Sequence, residues 1–303
     1  MNRMNVVQLK EQLKGIYVLA ITPFTEDGSA IDEAALARNI NHYIEAGAHG
    51  VVVGGTYAEY PSMTVEERKT LFRYAVKAVA GRVPLLCCTA ASGTEEAIML
   101  TKAAKEYGAS GVMVTPPYVS EVRPADIAYH FQLLNDAVDF PIFIYNSASI
   151  GVHLSPEEIK GLADLSNVAG VKQGATDLHA LVRTQAYSGE KIAVMCGSDG
   201  LALGAIASGL AGCTSTNANF MTSEFVSLYE EVKAGRNEEA IRRYYSWQPI
   251  RELAKKYGQP AMVKAALEVV GLPSGPVRAP FRSLDETAKA EIRQTLKEVG
   301  IIS

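Results

Sequence analysis

The chain has 303 residues, 48% of them hydrophobic and 20% charged, which excludes wholesale disorder and supplies enough apolar side chain for a large core. Its 29 Lys plus Arg against 33 Asp plus Glu give a formal charge of -4, with no block of like charges. Nucleic acid and anionic membrane are therefore poor partners on charge grounds. No apolar stretch reaches the length of a membrane span, and the first fifteen residues, MNRMNVVQLKEQLKG, lack the long apolar run of a secretory leader. Four cysteines, Cys87, Cys88, Cys196 and Cys213, lie in apolar stretches without CxxC spacing and read as buried thiols of a reducing compartment. A soluble, cytoplasmic protein is expected.

Runs of β-branched residues alternate with stretches whose apolar residues recur every three or four positions, so strands alternate with helices. GIYVLAITPF (residues 15–24) reads as a strand and DEAALARNINHYIEAG (32–47) as an amphipathic helix closed by glycine. HGVVVGG precedes a helix whose start carries a Thr64-x-x-Glu67 capping box. VPLLCCTA, GVMVTPP and PIFIYN each precede a further helical segment, the last opening with Ser155 as cap and Pro156 behind it. VAGVKQG, IAVMCGSD and GCTST follow the same pattern.

Roughly eight strand-helix units result, the number that closes a (β/α)8 TIM barrel. The strands are continuous apolar runs, as a sheet covered on both faces requires. An open doubly wound sheet is the rival, but TPFTEDGSA after the first strand is no glycine-rich dinucleotide fingerprint. Beyond Ala234 the alternation stops. Residues 1–234 are thus expected to form the barrel with a short N-terminal extension, and 235–303 a C-terminal helical region.

A barrel's active site lies at the C-terminal ends of its strands. Lys172, inside VAGVKQG, is the most informative residue there. Burial penalises an ammonium and favours the neutral amine, the nucleophile that forms a Schiff base with a ketone. Read alone, it could equally hold its head in solvent or pair with a carboxylate. Tyr145 ends the preceding strand and could pass protons. Thr56 follows two glycines and offers a hydroxyl and backbone amides; Tyr118 follows Pro116-Pro117 on a stiff loop. Asp199, after Gly197 and Ser198, reads most simply as a helix cap, and Glu59 as a brace for its loop. The five histidines show no metal-ligand spacing, and no nucleotide-binding glycine motif is present, so cofactor-free and metal-free chemistry is expected.

Gly54-Gly55-Thr56 followed by Glu59, Thr115-Pro116-Pro117-Tyr118, Tyr145-Asn146, Gly170-Val171-Lys172 and Gly197-Ser198-Asp199-Gly200 occur in the order of the dihydrodipicolinate synthase and N-acetylneuraminate lyase family. The chain resembles that family over essentially its whole length. The resemblance implies that Lys172 forms an iminium with pyruvate or another 2-oxo acid. It casts Tyr145 as proton relay, Thr56 as its hydrogen-bonded partner, and Tyr118 as a relay residue lent to a neighbouring subunit. It also implies a carboxylate site at the amides of Thr56 and Tyr57, and a homo-oligomer, dimer or tetramer.

Two departures bear on specificity. The family's Gly-Thr-Thr-Gly-Glu loop is here Gly55-Thr56-Tyr57-Ala58-Glu59, and dihydrodipicolinate synthases carry an arginine shortly after Tyr-Asn where this chain reads Tyr145-Asn146-Ser147-Ala148-Ser149-Ile150-Gly151. A hydroxyl cannot replace a bidentate guanidinium at a carboxylate. With Ser147, Ser149, Gly197 and Asp199 as further substrate contacts, the sequence points to a lyase, aldolase or dehydratase, acting on pyruvate or a 2-keto-3-deoxy sugar acid. The alternatives are a dihydrodipicolinate synthase that takes its carboxylate grip from elsewhere, and a barrel that binds oxo acids without turnover.

Overall fold

A computed structural model describes residues 4–119, 121–147, 150–174 and 177–303. Eight strands, β1 (Gly15–Leu19), β2 (Gly50–Val53), β3 (Leu85–Cys88), β4 (Gly111–Val114), β5 (Ile142–Ser147), β6 (Val168–Gly174), β7 (Ala193–Cys196) and β8 (Gly212–Ser215), close into a parallel barrel in sequence order. Nearly every strand residue is buried, which accounts for the unbroken apolar runs.

The helices between strands are α2 (Glu33–Glu45), α3 (Val65–Val79), α4 (Thr94–Tyr107), α5 (Pro124–Ala137), α6 (Pro156–Leu162), α7 (Leu178–Ser188) and α8 (Ala202–Ala207), with α9 (Thr222–Lys233) after the last strand. Their starts follow the sequence signals. Thr64 and Glu67 exchange the two bonds of a capping box at α3, and Ser155 with Glu158 does the same at α6, behind which Pro156 supplies no donor to lose.

One further helix opens the chain. In α1 (Val6–Gln12), Asn5 and Gln8 form a capping box, and Leu9, with Leu13 just beyond, packs into the barrel interior with Tyr17, Leu86, Met113 and Phe143. These two leucines sit over the strand starts: a Cβ on Gly111 would come within 2.7 Å of Leu9, and one on Gly170 within 2.8 Å of Leu13. The strand-start end of the barrel is thereby plugged.

Four helices follow the barrel: α10 (Asn237–Ser246), α11 (Gln248–Tyr257), α12 (Ala261–Val269) and α13 (Glu286–Glu298). Trp247, Ile250, Leu253, Met262 and Ile292 belong to the same buried cluster as Phe225 of α9 and Val194 of β7, so this region shares the barrel's outer core. The four cysteines are buried and free, and no helix among the described residues is long and apolar enough to cross a membrane.

Candidate active site

Tyr145 and Lys172 are direct register partners on β5 and β6, which points both side chains to the same face, into the barrel. Lys172 is only 4% exposed, and its Nζ lies 3.9 Å from the centroid of the Tyr145 ring. The Tyr145 hydroxyl shares a hydrogen bond of 3.1 Å with the Thr56 hydroxyl. Thr56 opens a short 3-10 turn, Thr56–Ala58, entered through Gly55, and the first amides of such a turn have no partner inside it. Thr56, Tyr57, Tyr145 and Lys172 line one narrow cleft with Val52 and Met113.

Above that cleft Lys172 and Tyr57 also line a larger cavity of about 290 Å³, shared with Gly197, Ser198, Asp199, Thr214, Thr216, Asn217, Arg251 and Gln259. Gly197 is required by its neighbour, because a Cβ there would come within 3.0 Å of the Lys172 Cγ and Cε. Burial first, then the negative charge that nearby Tyr145 and Asp199 would carry, raises the pKa of the Tyr57 phenol.

Asp199 is not the helix cap that the sequence pattern favours. No side chain caps the turn Asp199–Leu201; the Asp199 carboxylate instead lies towards the end of β8, near the Ser215 hydroxyl and the Asn217 amide. Burial raises its pKa to about 6, against the opposing pull of those two groups and of Arg251 and Lys172. Ending β8 on small hydroxyl residues leaves room for it.

Tyr118 lies elsewhere within the chain: it is 37% exposed and its hydroxyl pairs with that of Tyr60 at 3.0 Å. Ser147 ends β5 opposite Gly174 and is not among the residues lining the cavity. Ser149 falls outside the described residues. Asn146, beside Tyr145, donates to the Gln173 side chain at 2.6 Å and exchanges bonds with the Leu154 backbone, fixing the two strand ends together.

Glu59 braces its loop, and the brace comes from the far end of the chain. Its fully buried carboxylate takes Lys264 Nζ of α12 at 2.7 Å on one oxygen and the Arg278 amide at 2.7 Å on the other. The same Lys264 donates to the Pro276 carbonyl. Neither Lys264 nor Arg251 was marked by strand-end position, because both belong to helices beyond the barrel. The one sequence signal for Lys264 is a cation in an otherwise apolar helical segment, PAMVKAALEVV.

The Dihydrodipicolinate synthetase family model matches residues 12–299. A 4-hydroxy-tetrahydrodipicolinate synthase of Methanopyrus kandleri is 33% identical over 293 residues, 96% of this chain and 98% of the relative. A second synthase of that name, from Methanoculleus marisnigri, is 34% identical over 290 residues, 95% and 99% of the two chains. Among solved structures, a prophage protein of the same family from E. coli K12, YagE, in complex with pyruvate, superposes with a TM-score of 0.91 at 29% identity, covering 95% of this chain and 99% of that one.

Proposed function

Because the chain belongs to the dihydrodipicolinate synthetase family and is a lyase of the class I aldolase type, we propose that Lys172 carries its chemistry as an iminium with a 2-oxo acid. One observation carries this reading: the buried Lys172 amine faces the ring of a tyrosine whose hydroxyl is already bonded to Thr56.

The Lys172 nitrogen attacks the C2 carbonyl, and Tyr145 delivers the proton that lets the carbinolamine oxygen leave as water. Thr56 holds the tyrosine hydroxyl in place for that transfer. The amides of Thr56 and Tyr57 receive the C1 carboxylate. The iminium draws electrons from the substrate, so either C3–H loses its proton or the C3–C4 bond breaks as the C4 hydroxyl gives up its own. The enamine formed by C3–H loss can instead expel the C4 hydroxyl as water. The amine itself supplies the electron sink, so the reading calls for no cofactor and no metal.

The preferred substrate is a 2-keto-3-deoxy sugar acid. The hydroxyls and amides of Ser198, Thr214, Thr216, Asn217 and Gln259 that line the cavity suit a polyhydroxy chain, and the loop after Tyr145 has no arginine. Gly197 and Asp199 lie where they would contact it. Ser147 and Ser149 take a secondary place in this proposal. The second reading, condensation of pyruvate with aspartate semialdehyde, is favoured by the names of the relatives.

Tyr118 would complete the relay from a neighbouring copy, which makes the working form a homo-oligomer, dimer or tetramer. The four buried free thiols favour a reducing, cytoplasmic setting. Residues 1–234 and 235–303 are proposed to differ in architecture while acting as one unit.

Borohydride trapping with pyruvate, read by intact mass, tests the central step. One reduced pyruvyl adduct is expected on the wild type and none on Lys172→Ala; an undiminished adduct on the variant, or none on either, overturns it. Turnover of 2-keto-3-deoxy acids against condensation with aspartate semialdehyde separates the two substrate readings, and failure of both leaves a binding barrel.

A further inference from the structure

Two spaces meet at Lys172: the narrow cleft that holds Thr56 and Tyr145, and the larger cavity that holds Ser198 and Asp199. Among the described residues only Leu19, Tyr57 and Lys172 line both, so these three form the junction between them. Leu19 has no polar side-chain atom, and the Lys172 amine is committed to the iminium in the proposed reaction. The Tyr57 phenol is thus the junction's one remaining side-chain group able to make a hydrogen bond.

That phenol is uncommitted. Its hydroxyl has no hydrogen-bond partner among the described residues, whereas those of Tyr60, Tyr145 and Tyr244 are each bonded. Nor is it sealed in protein, as the unpartnered Thr115 hydroxyl is: Tyr57 is half-buried and its hydroxyl stays accessible. Burial and the nearby Tyr145 and Asp199 raise its pKa, which keeps the group a donor. Tyr57 is also where the chain departs from the family's Gly-Thr-Thr-Gly-Glu loop. A threonine hydroxyl lies beside the backbone, while a phenol carries its hydroxyl a ring's length further.

We infer that the Tyr57 hydroxyl donates a hydrogen bond to an oxygen on C4 of the substrate, so that the junction selects 4-hydroxy-2-oxo acids over chains bare at that carbon. The inference deepens the proposed function and rests on it for the placement of C1 and C2. With the C1 carboxylate on the amides of Thr56 and Tyr57 and C2 on Lys172, a longer substrate leaves the cleft through the junction at C3 and C4. C3 carries the reacting hydrogen, so C4 presents the first hydroxyl. The phenol engages a lone pair of that oxygen and leaves its proton free to be removed in cleavage. In dehydration the same bond steadies the oxygen as it departs.

The test compares 4-hydroxy-2-oxopentanoate with 2-oxopentanoate by the concentration that half-saturates borohydride trapping, all adducts being summed by intact mass. A neutral hydrogen bond predicts that the wild type traps the hydroxy acid at about fivefold lower concentration. Tyr57→Phe should bring the ratio of the two concentrations to about one; a purely structural role would shift both and leave their ratio. A wild-type ratio near one, a ratio that Tyr57→Phe leaves unchanged, or trapping of pyruvate but of neither longer acid overturns the inference. If pyruvate is not trapped either, the iminium reading fails, and the inference is judged by thermal melting with the same two acids. Greater stabilisation of the wild type by the hydroxy acid, equalised in Tyr57→Phe, upholds it, and any other response overturns it.

Discussion

Individual residues of the cavity are set by contacts that permit few substitutes. Gly197 is glycine because Lys172 passes where its side chain would be. Gly197→Ala is therefore expected to displace the lysine tail and lower the rate of pyruvate trapping by about tenfold, the effect of a small misplacement at a reacting centre. Its thermal melting should change far less than its trapping rate. Asp199 and His130 make an opposed pair in their response to pH. Burial holds Asp199 near 6, above the ordinary aspartate range, so between about pH 4 and 6 the folded chain keeps a proton that the unfolded chain has lost, and stability falls as pH rises. Burial lowers His130 to about 4, so between about pH 4 and 6.5 the unfolded chain takes up a proton that the folded chain refuses, and stability rises with pH. Urea denaturation at pH 4.5 and 6.5 should show the wild type varying least. Asp199→Asn should gain stability with pH over that interval and His130→Gln should lose it; equal slopes in all three would exclude the assignment.

At the scale of elements, helix starts differ in how completely they are capped. Thr64 and Glu67 satisfy two backbone donors of α3, and Thr64→Ala should cost about 1 kcal/mol in equilibrium denaturation. The start of α4 has no side-chain cap: Gly93 occupies the position in extended conformation, and a Cβ there would meet nothing within 4 Å. Gly93→Ser should accordingly stabilise the protein by roughly a few tenths of a kcal/mol. These elements were legible because their signals are local. Thr64-x-x-Glu67, Ser155-Pro156 and the unbroken apolar strands each reveal structure within a few residues, and they locate Lys172 and Tyr145 on adjacent strand ends. The surroundings of Asp199 were not legible, since Ser215 and Asn217 come near it only when β7 and β8 pair. Arg251 was hidden for a related reason: nothing in QPIRELAKKY separates a cation facing solvent from one facing a cavity.

The molecule as a whole is joined at Glu59. This carboxylate and Lys264 are both almost wholly buried, and burial lowers the lysine pKa while Glu59 holds it up. Removing one partner of such a pair leaves the other charged and unpaired, so Glu59→Gln should destabilise the protein by about 3 kcal/mol. Pairing it with Lys264→Met should recover much of that loss, a coupling that a double-mutant cycle measures. Arg278 adds to the joint, donating its amide to Glu59 and its side chain to the Ser62 carbonyl and to Glu67 at the start of α3. The loop that carries Thr56 and Tyr57 is therefore held between the barrel and the helices beyond it.

That joint also has an order in time. A chain made from its N-terminus exposes Glu59 roughly two hundred residues before Lys264, which at ordinary rates of synthesis is about ten to forty seconds. Through that interval the nascent chain carries an acidic group destined for burial and lacks the cation that makes burial tolerable. The barrel strands are complete by Ser215, yet the loop around Glu59 cannot settle until α12 and the segment at Arg278 have left the ribosome. A ribosome stalled between the end of β8 and Lys264 would thus display a chain with every strand made and its substrate loop still unset.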